Sequence, residues 1–278
     1  MTGLAAALRD WLAAGQPAAL VRVERARGST PREEGVAMLV TADAIAGTIG
    51  GGQLELDAVA RARALLAGGD AEAVVEIPLG PAIGQCCGGH VRLRIARADA
   101  TAVAALAGAE AAADAAAPTV LVFGAGHVGH ALIRALALLP FRVRWIDDRA
   151  DAFGAVPAGI ARIVAPDPEA EVAGAPPGAA CVVLTHSHAL DARITAAALE
   201  RDDLAYVGLI GSTTKRRRFE HGFRDIGIGE HRIARLVCPI GDRGVRDKRP
   251  EVIAALVAAE LVAAFAAAAA RHDAERAA

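Results

Sequence analysis

The chain has few aromatic residues and few cysteines. Aromatics make up 3% of its 278 residues, and alanine-rich stretches supply much of its 54% hydrophobic content. Alanine favours helix but fills little volume. The four cysteines are Cys86, Cys87, Cys181 and Cys238. Their positions show no paired spacing of the zinc-site or disulfide kind, so we expect reduced thiols.

The chain also lacks an excess of either charge and a long apolar run. Its 30 Lys and Arg face 32 Asp and Glu, a net charge of −2 that offers no general attraction to nucleic acid. The apolar stretch at residues 256–270 is broken by Glu260 and falls short of the ~20 apolar residues of a membrane span. Residues 1–15 carry Arg9 and Asp10 and lack the layout of a secretory signal. We therefore expect a cytoplasmic protein with no nucleic-acid or membrane partner.

Apolar periodicity and length indicate two domains. The chain exceeds the roughly 100 to 200 residues of one domain. Residues 100–117 are almost all small and end at Pro118, which indicates a helix or linker leading to a boundary. We predict a mixed α/β domain at residues 1–117 and a second domain at 118–278. The elements predicted in the first are helices at 4–14 and 54–66 and strands at 18–25, 36–41, 45–49, 73–78 and 91–96.

Strands and helices alternate after Pro118. The segment TVLVF, a glycine loop, a helix at about 127–139 and the strand FRVRWI form a βαβ unit. Further strands are predicted at 161–164, 180–184 and 205–210, and a last helix begins near Pro250. This alternation predicts an α/β fold whose C-terminal domain is a Rossmann-like, doubly wound parallel sheet.

The most specific local motif is the glycine loop GAGHVG at residues 124–129. It follows a predicted strand and opens a helix, and Asp147 lies eighteen residues beyond Gly129. Gly124 permits the tight turn, Gly126 lets the backbone approach a pyrophosphate, and Gly129 allows close helix packing. Asp147 can accept hydrogen bonds from a ribose. The pattern predicts a phosphate-bearing ligand; the alternative is a Rossmann topology kept for folding alone.

Two further loops follow predicted strands of the same sheet. THSHALD contains His186 and His188, which can hold a metal or donate to an anion, although two such histidines alone are a weak metal signal. In GSTTKRRR, Ser212 or Thr213 can cap a helix whose first turn carries cations such as Lys215. Cations oppose the dipole at a helix start, which indicates a bound anion near Gly211. The alternatives are ordinary turn residues in the first loop and a solvated basic face in the second.

Two glycine-rich loops mark the N-terminal domain. GQCCGG at residues 84–89 holds adjacent thiols before Gly88 and Gly89, and a thiolate is a good ligand for a soft metal. Neighbouring side chains do not easily bind one metal together, so one thiol, Cys86 or Cys87, is favoured over a chelate. The loop GTIGGGQLE can hold an anion or a polar ring through its amides. Its candidate residues are Gly50, Gly51, Gly52, Gln53 and Glu55. Tight turns are the alternative in both loops.

An ordered set of motifs resembles one known family. GSTPRE, GTIGGGQLE, GQCCGG, VFGAGHVG, DDR, THSHALD, YVGLIGSTTKRRRF and CPIG, in this order, resemble the XdhC family of xanthine dehydrogenase accessory proteins, and the likeness spans nearly the whole chain. It implies an XdhC/CoxI-like first domain. It also implies a bacterial cytoplasmic chaperone, not an enzyme, that binds the molybdenum cofactor (Mo-molybdopterin) and protects it. One departure is the loop at 241–249, which is more charged than the glycine-rich stretch expected of the family.

The resemblance also implies partners. They are a cysteine desulfurase that sulfurates the bound cofactor, the molybdenum-binding subunit of xanthine dehydrogenase that receives it, and a second copy in a homodimer. The family's thiol falls on Cys86 or Cys87, with a slight preference for Cys87, as a molybdenum-proximal group. The remaining predicted cofactor-binding residues are Gly50, Gly51, Gly52, Gln53, Glu55, Gly88, Gly89, Gly124, Gly126, His127, Gly129, Asp147, His186, His188, Gly211, Ser212 and Lys215.

One alternative function follows from the residues alone. GAGHVG and Asp147 are also typical of an NAD(P)-dependent oxidoreductase, in which His186 or His188 would act as proton donor. Against this alternative, the sequence offers no obvious motif for a substrate pocket.

Overall fold

A computed structural model describes residues 3–68, 71–79 and 88–277. The chain divides into two compact units, Met1–Ala115 and Ala116–Ala278. The predicted boundary after residue 117 lies two residues from this division. Each unit has its own sheet and its own buried core.

In its described residues, the N-terminal unit is a five-stranded antiparallel sheet with three helices. The strand order is β3-β2-β1-β5-β4. Alternate residues of β1, such as Val21 and Val23, are buried in the core with Leu54 and Ala58 of α2, since side chains of a strand point to opposite faces. The elements are α1 (Leu4–Ala13), β1 (Ala19–Arg27), β2 (Ala37–Val40), β3 (Ile45–Gly47), α2 (Gly52–Gly68), β4 (Glu72–Pro78), β5 (His90–Arg97) and α3 (Ala100–Ala116).

The C-terminal unit is a six-stranded parallel sheet with the order β11-β10-β9-β6-β7-β8. This is the strand order of dinucleotide-binding Rossmann domains, and it confirms the predicted fold class. The elements are β6 (Thr119–Phe123), α4 (His127–Leu136), β7 (Arg142–Asp147), β8 (Ile160–Val164), α5 (Pro168–Ala173), β9 (Ala180–Val183), α6 (His188–Glu200), β10 (Tyr206–Leu209), α7 (Thr213–Asp225), α8 (Glu230–Ile233), β11 (Leu236–Val237) and α9 (Pro250–Ala277).

Helices cover both faces of this parallel sheet. Leu121 and Val183 pack with residues of α5 to α8 on one face, while Val120 and Val122 pack with α4 and α9 on the other. All five residues of β6 are therefore buried, and the strand is a continuous apolar run rather than an alternating one.

Two predicted helix limits shift in the structure. The helix predicted to reach Leu139 ends at Leu136, because the chain tightens into shorter turns, with Leu139 N donating to Leu136 O, before Pro140. The helix predicted from Leu54 begins at Gly52, since Glu55 turns back to accept hydrogen bonds from the amides that precede it.

Helix α9 differs from its prediction. In the described part of the chain, Pro250–Arg276 is long and apolar enough by length and composition to cross a membrane, with a mean hydropathy of 2.3 in a window that is 22% buried. The expectation that this stretch falls short of a span was therefore wrong on those two criteria. Ala254, Val257 and Leu261 lie in the core with α4, so the first half of α9 is an internal helix of this unit.

Candidate functional site

Three of the predicted loops lie along the carboxyl edge of the parallel sheet. Residues 124–129 follow β6, residues 185–187 follow β9, and residues 210–212 follow β10. Strands β6 and β9 are the neighbours at which the strand order reverses, and open α/β sheets bind ligands at that point. The fold therefore gathers loops that begin at residues 124, 185 and 210 of the sequence.

The glycine loop has the geometry that its motif predicts. Gly124 has φ of 123°, and a Cβ there would lie 2.2 Å from the Leu184 carbonyl oxygen. A Cβ on Gly129 would lie 2.3 Å from the Gly124 carbonyl oxygen. Gly126 differs from both of these glycines. It is the N-cap of α4 and has an ordinary φ of −82°. A Cβ on Gly126 would have no heavy atom within 4 Å. The N-terminus of α4 is thus open at Gly126.

The Asp147 carboxylate accepts hydrogen bonds from its own chain, including one from the glycine loop. It is 4% exposed and accepts hydrogen bonds from Ala125 N at 2.7 Å and from Arg149 N and Nε at 2.9 Å. Burial alone would raise the pKa of Asp147, but hydrogen bonds from the Arg149 side chain and from both backbone amides outweigh burial and lower the pKa to about 2. Both carboxylate oxygens therefore already have donors, and a ribose hydroxyl would compete with Arg149 for them.

The two predicted histidines, His186 and His188, differ in their surroundings. His186 Nδ1 lies 3.8 Å from Asp148, and the ligand atoms of Asp147, Asp148 and His186 all lie within 4.8 Å of one another. Among the described residues this is the group that could hold a metal ion, and His188 lies outside it, in the first turn of α6. The Arg149 guanidinium competes with a cation at this place, because it forms an ion pair with Asp147.

A large cleft opens between α6 and α7, which we call the α6/α7 cleft. Its volume is about 1330 Å³, and one end of it, which we call its mouth, lies at the carboxyl edge of β9 and β10. Five predicted residues come together at this mouth: His186, His188, Gly211, Ser212 and Lys215. The body of the cleft is mainly apolar and is lined by Ala189, Ala192, Ala196, Ala197, Phe219, Gly222, Phe223 and Ile226.

Sequence reasoning missed the role of Asp191 at this mouth. Asp191 is 1% exposed and accepts hydrogen bonds from Thr185 N at 2.9 Å, from Thr185 Oγ1 at 2.7 Å and from Lys215 Nζ at 2.6 Å. Lys215 Nζ also donates to Ile210 O at 2.9 Å. The ammonium group that was predicted to bind an anion therefore joins the loops after β9 and β10. An acidic residue in the first turn of a predicted helix was the signal available in the sequence.

The sequence left Ser212 and Thr213 as alternative caps for this helix, and Ser212 is the N-cap of α7. Its hydroxyl accepts a hydrogen bond from Lys215 N at 3.2 Å. Arg218 lines the cleft, and no ion pair of Arg218 is found among the described residues. Arg218 is therefore a more available cation at this mouth than Lys215.

The triple-glycine loop of the N-terminal unit binds a carboxylate of its own chain. Glu55 accepts hydrogen bonds from Ile49 N at 3.0 Å, from Gly51 N at 3.2 Å and from the Thr48 hydroxyl at 2.5 Å. Burial alone would raise the pKa of Glu55, but these hydrogen bonds outweigh burial and lower the pKa. The amides of Ile49 and Gly51 lie in the loop that was predicted to bind an external anion, and both already donate to Glu55. Gln53 Nε2 likewise donates to Asp57 at 2.6 Å.

Cys86 and Cys87 lie outside the described residues. The two ends of their segment are joined, because Gly88 N donates to Leu79 O at 2.8 Å and Leu79 N donates to Gly89 O at 2.7 Å. A Cβ on Gly89 would lie 2.2 Å from Ser29 O, and a Cβ on Gly50 would lie 2.4 Å from Pro31 Cβ. The GSTPRE turn therefore touches both the triple-glycine loop and the end of the cysteine segment, a convergence that the sequence did not reveal.

Comparisons with known proteins agree with this architecture. A protein of Escherichia coli K12 described as the uncharacterized protein YqeB is 28% identical over 275 aligned residues, which cover 88% of this chain and 43% of that protein. The chain thus spans less than half the length of that curated relative. A solved structure from Bacillus halodurans, described as a xanthine dehydrogenase, has a TM-score of 0.76 at 18% identity and 96% coverage of both chains, which shows a shared fold.

Two family models match the two units. Residues 11–77 match the XdhC and CoxI family, and residues 120–261 match the XdhC Rossmann domain. The second match alone spans more than half of the chain, and the first lies within the N-terminal unit described above. This chain therefore belongs to the XdhC family.

Proposed function

We propose that this chain is an accessory protein that binds the molybdenum cofactor as cargo, protects it, presents it for sulfuration and delivers it to a xanthine dehydrogenase. Its membership of the XdhC family supports an accessory role in xanthine dehydrogenase maturation. The observation that carries the cargo proposal is the open N-terminus of α4 at Gly126, on the sheet edge where Rossmann domains bind phosphates.

The terminal phosphate of molybdopterin suits this edge. Backbone amides at the start of α4, at Gly126 and His127, offer donors and the positive end of the helix dipole. His186 and Arg218 lie at the mouth of the neighbouring cleft and add side chains that can pair with an anion. In this proposal Lys215 and Asp191 position the two loops, and Lys215 does not contact the phosphate directly.

The molybdenum end of the cargo suits a thiolate from Cys86 or Cys87. Molybdenum held by a dithiolene is a soft centre, and thiolate is a matching ligand. The GSTPRE turn adjoins the end of the cysteine segment at Gly89 and touches the triple-glycine loop at Gly50, so we propose that this turn and this loop border the molybdenum end of the cargo. A cysteine desulfurase would act on the cofactor while it is held, and the molybdenum-binding subunit of xanthine dehydrogenase would receive it.

The phosphate site is tested at Gly126. The Gly126→Glu variant places a carboxylate at the open start of α4, where both the backbone angle and the free space accept a side chain. We expect it to fold normally and to lose at least about tenfold of its cofactor affinity through charge repulsion. Gly126→Ala is the matched control and should retain the cofactor. Molybdenum content and oxidised-pterin fluorescence of protein from cofactor-producing cells are the measurements; equal loading of Gly126→Glu and wild type would contradict the phosphate site.

The thiol is tested with the single and double alanine variants of Cys86 and Cys87. We expect the double variant to fold and to lose molybdenum and pterin together. Cys181→Ala is the matched control, because it removes a buried thiol from the Rossmann core. Full cofactor retention in both single variants and in the double variant would sink the thiol assignment.

An NAD(P)-dependent oxidoreductase is the second candidate function. The strand order and the GAGHVG loop favour a dinucleotide. The hydrogen bonds that already occupy Asp147 disfavour it, because the ribose acceptor is taken. Titration with NAD and NADP decides between the two: tight saturable binding with hydride transfer supports the enzyme, and no binding removes it.

A further inference from the structure

The α6/α7 cleft carries opposite charges at its two ends. At the mouth, Arg218 has no ion pair among the described residues, and His188 also lines the wall. Glu200, the last residue of α6, lines the far end, about 18 Å from His188 at 1.5 Å per residue. In the described part of the chain Glu200 forms no hydrogen bond or ion pair, and the nearby Arg232 is paired with Asp202 at 2.6 Å. A ligand that spans the cleft therefore needs an anionic group at one end and hydrogen-bond donors at the other.

Between these two ends, the walls of the cleft suit a flat ring. Phe219 and Phe223 line the α7 wall, and their rings meet edge to face with 5.9 Å between centroids. Lys215 Nζ lies 5.3 Å from the centre of the Phe219 ring. Both rings are buried, so packing fixes their positions before a ligand arrives. On the α6 wall, Ala192 and Ala196 are short enough to leave room for a ring to pack against the aromatic side.

Gly222 widens the cleft at the expense of its own helix. It lies inside α7, where glycine is a poor helix former. Its φ is not in the left-handed region, and a Cβ there would have no heavy atom within 4 Å. Among the described residues, neither the backbone nor packing therefore requires glycine at this position. Gly222 lines the cleft, so the space that it leaves open is the feature that explains it.

The mouth of the cleft adjoins the proposed phosphate site. A Cβ on Gly124 would lie 3.0 Å from Thr185 Cα, and Thr185 lines the cleft. Gly124 belongs to the same loop as Gly126, the N-cap of α4. A ligand whose phosphate is held at the start of α4 can therefore extend its ring into the cleft.

The cargo of the proposed function has the chemistry that these walls require. Molybdopterin joins a phosphate to a flat pterin ring, and the far edge of that ring carries an amino group next to a ring N–H. The two oxygens of a carboxylate can accept hydrogen bonds from both donors. The cleft volume of about 1330 Å³ exceeds the roughly 300–1,000 Å³ of pockets for drug-sized ligands, so the ring system has room. Guanine nucleotides share the phosphate and this pair of donors, whereas adenine lacks the pair.

We propose that the α6/α7 cleft binds the pterin ring of the cargo, with Glu200 accepting hydrogen bonds from its amino group and ring N–H. The ring packs between Phe219 and Ala196, and the phosphate lies toward Arg218 at the mouth. This inference rests on the proposed function, to which it adds the place of the pterin ring and the residue that recognises it.

The first test removes the acceptor. Glu200→Gln loses one acceptor oxygen and the negative charge, so we expect the pterin retained after dialysis to fall at least about tenfold. Glu251→Gln, which changes an exposed carboxylate of α9 outside the cleft lining, is the matched control and should retain pterin as the wild type does. Oxidised-pterin fluorescence and molybdenum content of protein from cofactor-producing cells are the measurements, and circular dichroism checks the fold.

The second test fills the cleft. Ala196→Trp places an indole where the ring would lie and should lower pterin retention at least about tenfold. Ala170→Trp on the exposed surface of α5 is the matched control and should leave retention unchanged. Gly222→Ala favours the helix but narrows the cleft, so we expect a higher Tm together with weaker pterin retention. A glycine with a purely structural role would not give this combination.

The outcomes separate this inference from the function on which it rests. A wild type that carries pterin, with equal retention in Glu200→Gln and Ala196→Trp, overturns the inference and leaves the proposed function standing. A wild type that carries no pterin overturns both. Calorimetric titration with GMP and AMP distinguishes the two sources of the ring. If GMP but not AMP binds, Glu200→Gln abolishes this binding and Ala196→Trp retains its pterin, the assignment to the cargo is overturned in favour of a free guanine nucleotide.

Discussion

At the scale of single residues, internal carboxylates hold the candidate loops at residues 47–52, 124–129, 185–187 and 210–212. Asp147 binds the glycine loop, Asp191 joins the loops after β9 and β10, and Glu55 binds the triple-glycine loop. Each of these carboxylates accepts a hydrogen bond from at least one backbone amide. The shared physical reason is that turns at the ends of strands leave amides without ladder partners, and a carboxylate satisfies them strongly.

Loss of Asp191 should be costly. In Asp191→Ala the Lys215 ammonium, whose side chain is 14% exposed, loses its anionic partner, and the Thr185 amide loses its acceptor. We expect the free energy of unfolding to fall by about 3 kcal/mol, because an unpaired charge is left largely buried. Urea unfolding measures this. Asp203→Ala breaks a more exposed ion pair with Arg201 and should change stability by less than about 1 kcal/mol. Equal losses in the two variants would contradict a special role for Asp191.

Glu55 should make stability depend on pH. Its pKa is lowered in the folded state, so its contribution is fully present above its ordinary value of 4.5 and is lost as the pH falls through the lower folded value. Glu55→Gln should therefore be less stable than wild type near pH 7, by less than about 1 kcal/mol because solvent screens this partly exposed carboxylate. Denaturant unfolding from pH 7 to pH 3 should show this difference shrinking below pH 4.5. A difference that stays constant over this range would refute the charge-dependent role.

At the scale of elements, the sequence predicted the N-cap of a helix more accurately than it predicted where a helix ends. Ser212 was one of two predicted caps for α7, and it fills that position. Helix α4 ends three residues early, because the sequence pattern continues through turns whose hydrogen bonds are no longer helical. The spacing of apolar residues predicts which face of a helix is buried. The residue at which the helix ends depends instead on which donors its last carbonyl groups find.

The cap of α7 should contribute measurably. Ser212→Ala removes the side-chain acceptor for Lys215 N, and we expect a loss of about 1 kcal/mol with a corresponding fall in Tm. Thr213→Ala, one position later at the start of the helix, is the matched control. Thermal unfolding followed by circular dichroism compares them, and a larger effect from Thr213 would show that the cap is assigned to the wrong residue.

At the scale of the whole molecule, the buried thiols report on the integrity of the Rossmann unit. Cys181 is fully buried in β9, and burial raises its pKa to about 12. Burial also raises the pKa of Cys238. Neither thiol has the exposure or the lowered pKa of a reactive cysteine.

Labelling should therefore follow unfolding. We expect Cys181 to resist iodoacetamide in native buffer and to react only through opening of the C-terminal unit, with a rate that rises steeply with denaturant. Peptide-resolved mass spectrometry separates Cys181 from the other three cysteines. Rapid labelling of Cys181 without denaturant would show that the β9 core opens locally.

The sequence by itself determined the Rossmann sheet, its glycine loop and the family. Strand and helix periods are local, and the steric needs of Gly124 and Gly129 are visible in one short motif. Only the tertiary structure decided which donors and acceptors meet. It paired Asp147 with Ala125, paired Lys215 with Asp191, and brought GSTPRE against Gly50 and Gly89. It also formed an open cleft between α6 and α7. These pairings join residues distant in the chain, and such contacts depend on how elements pack rather than on any local pattern.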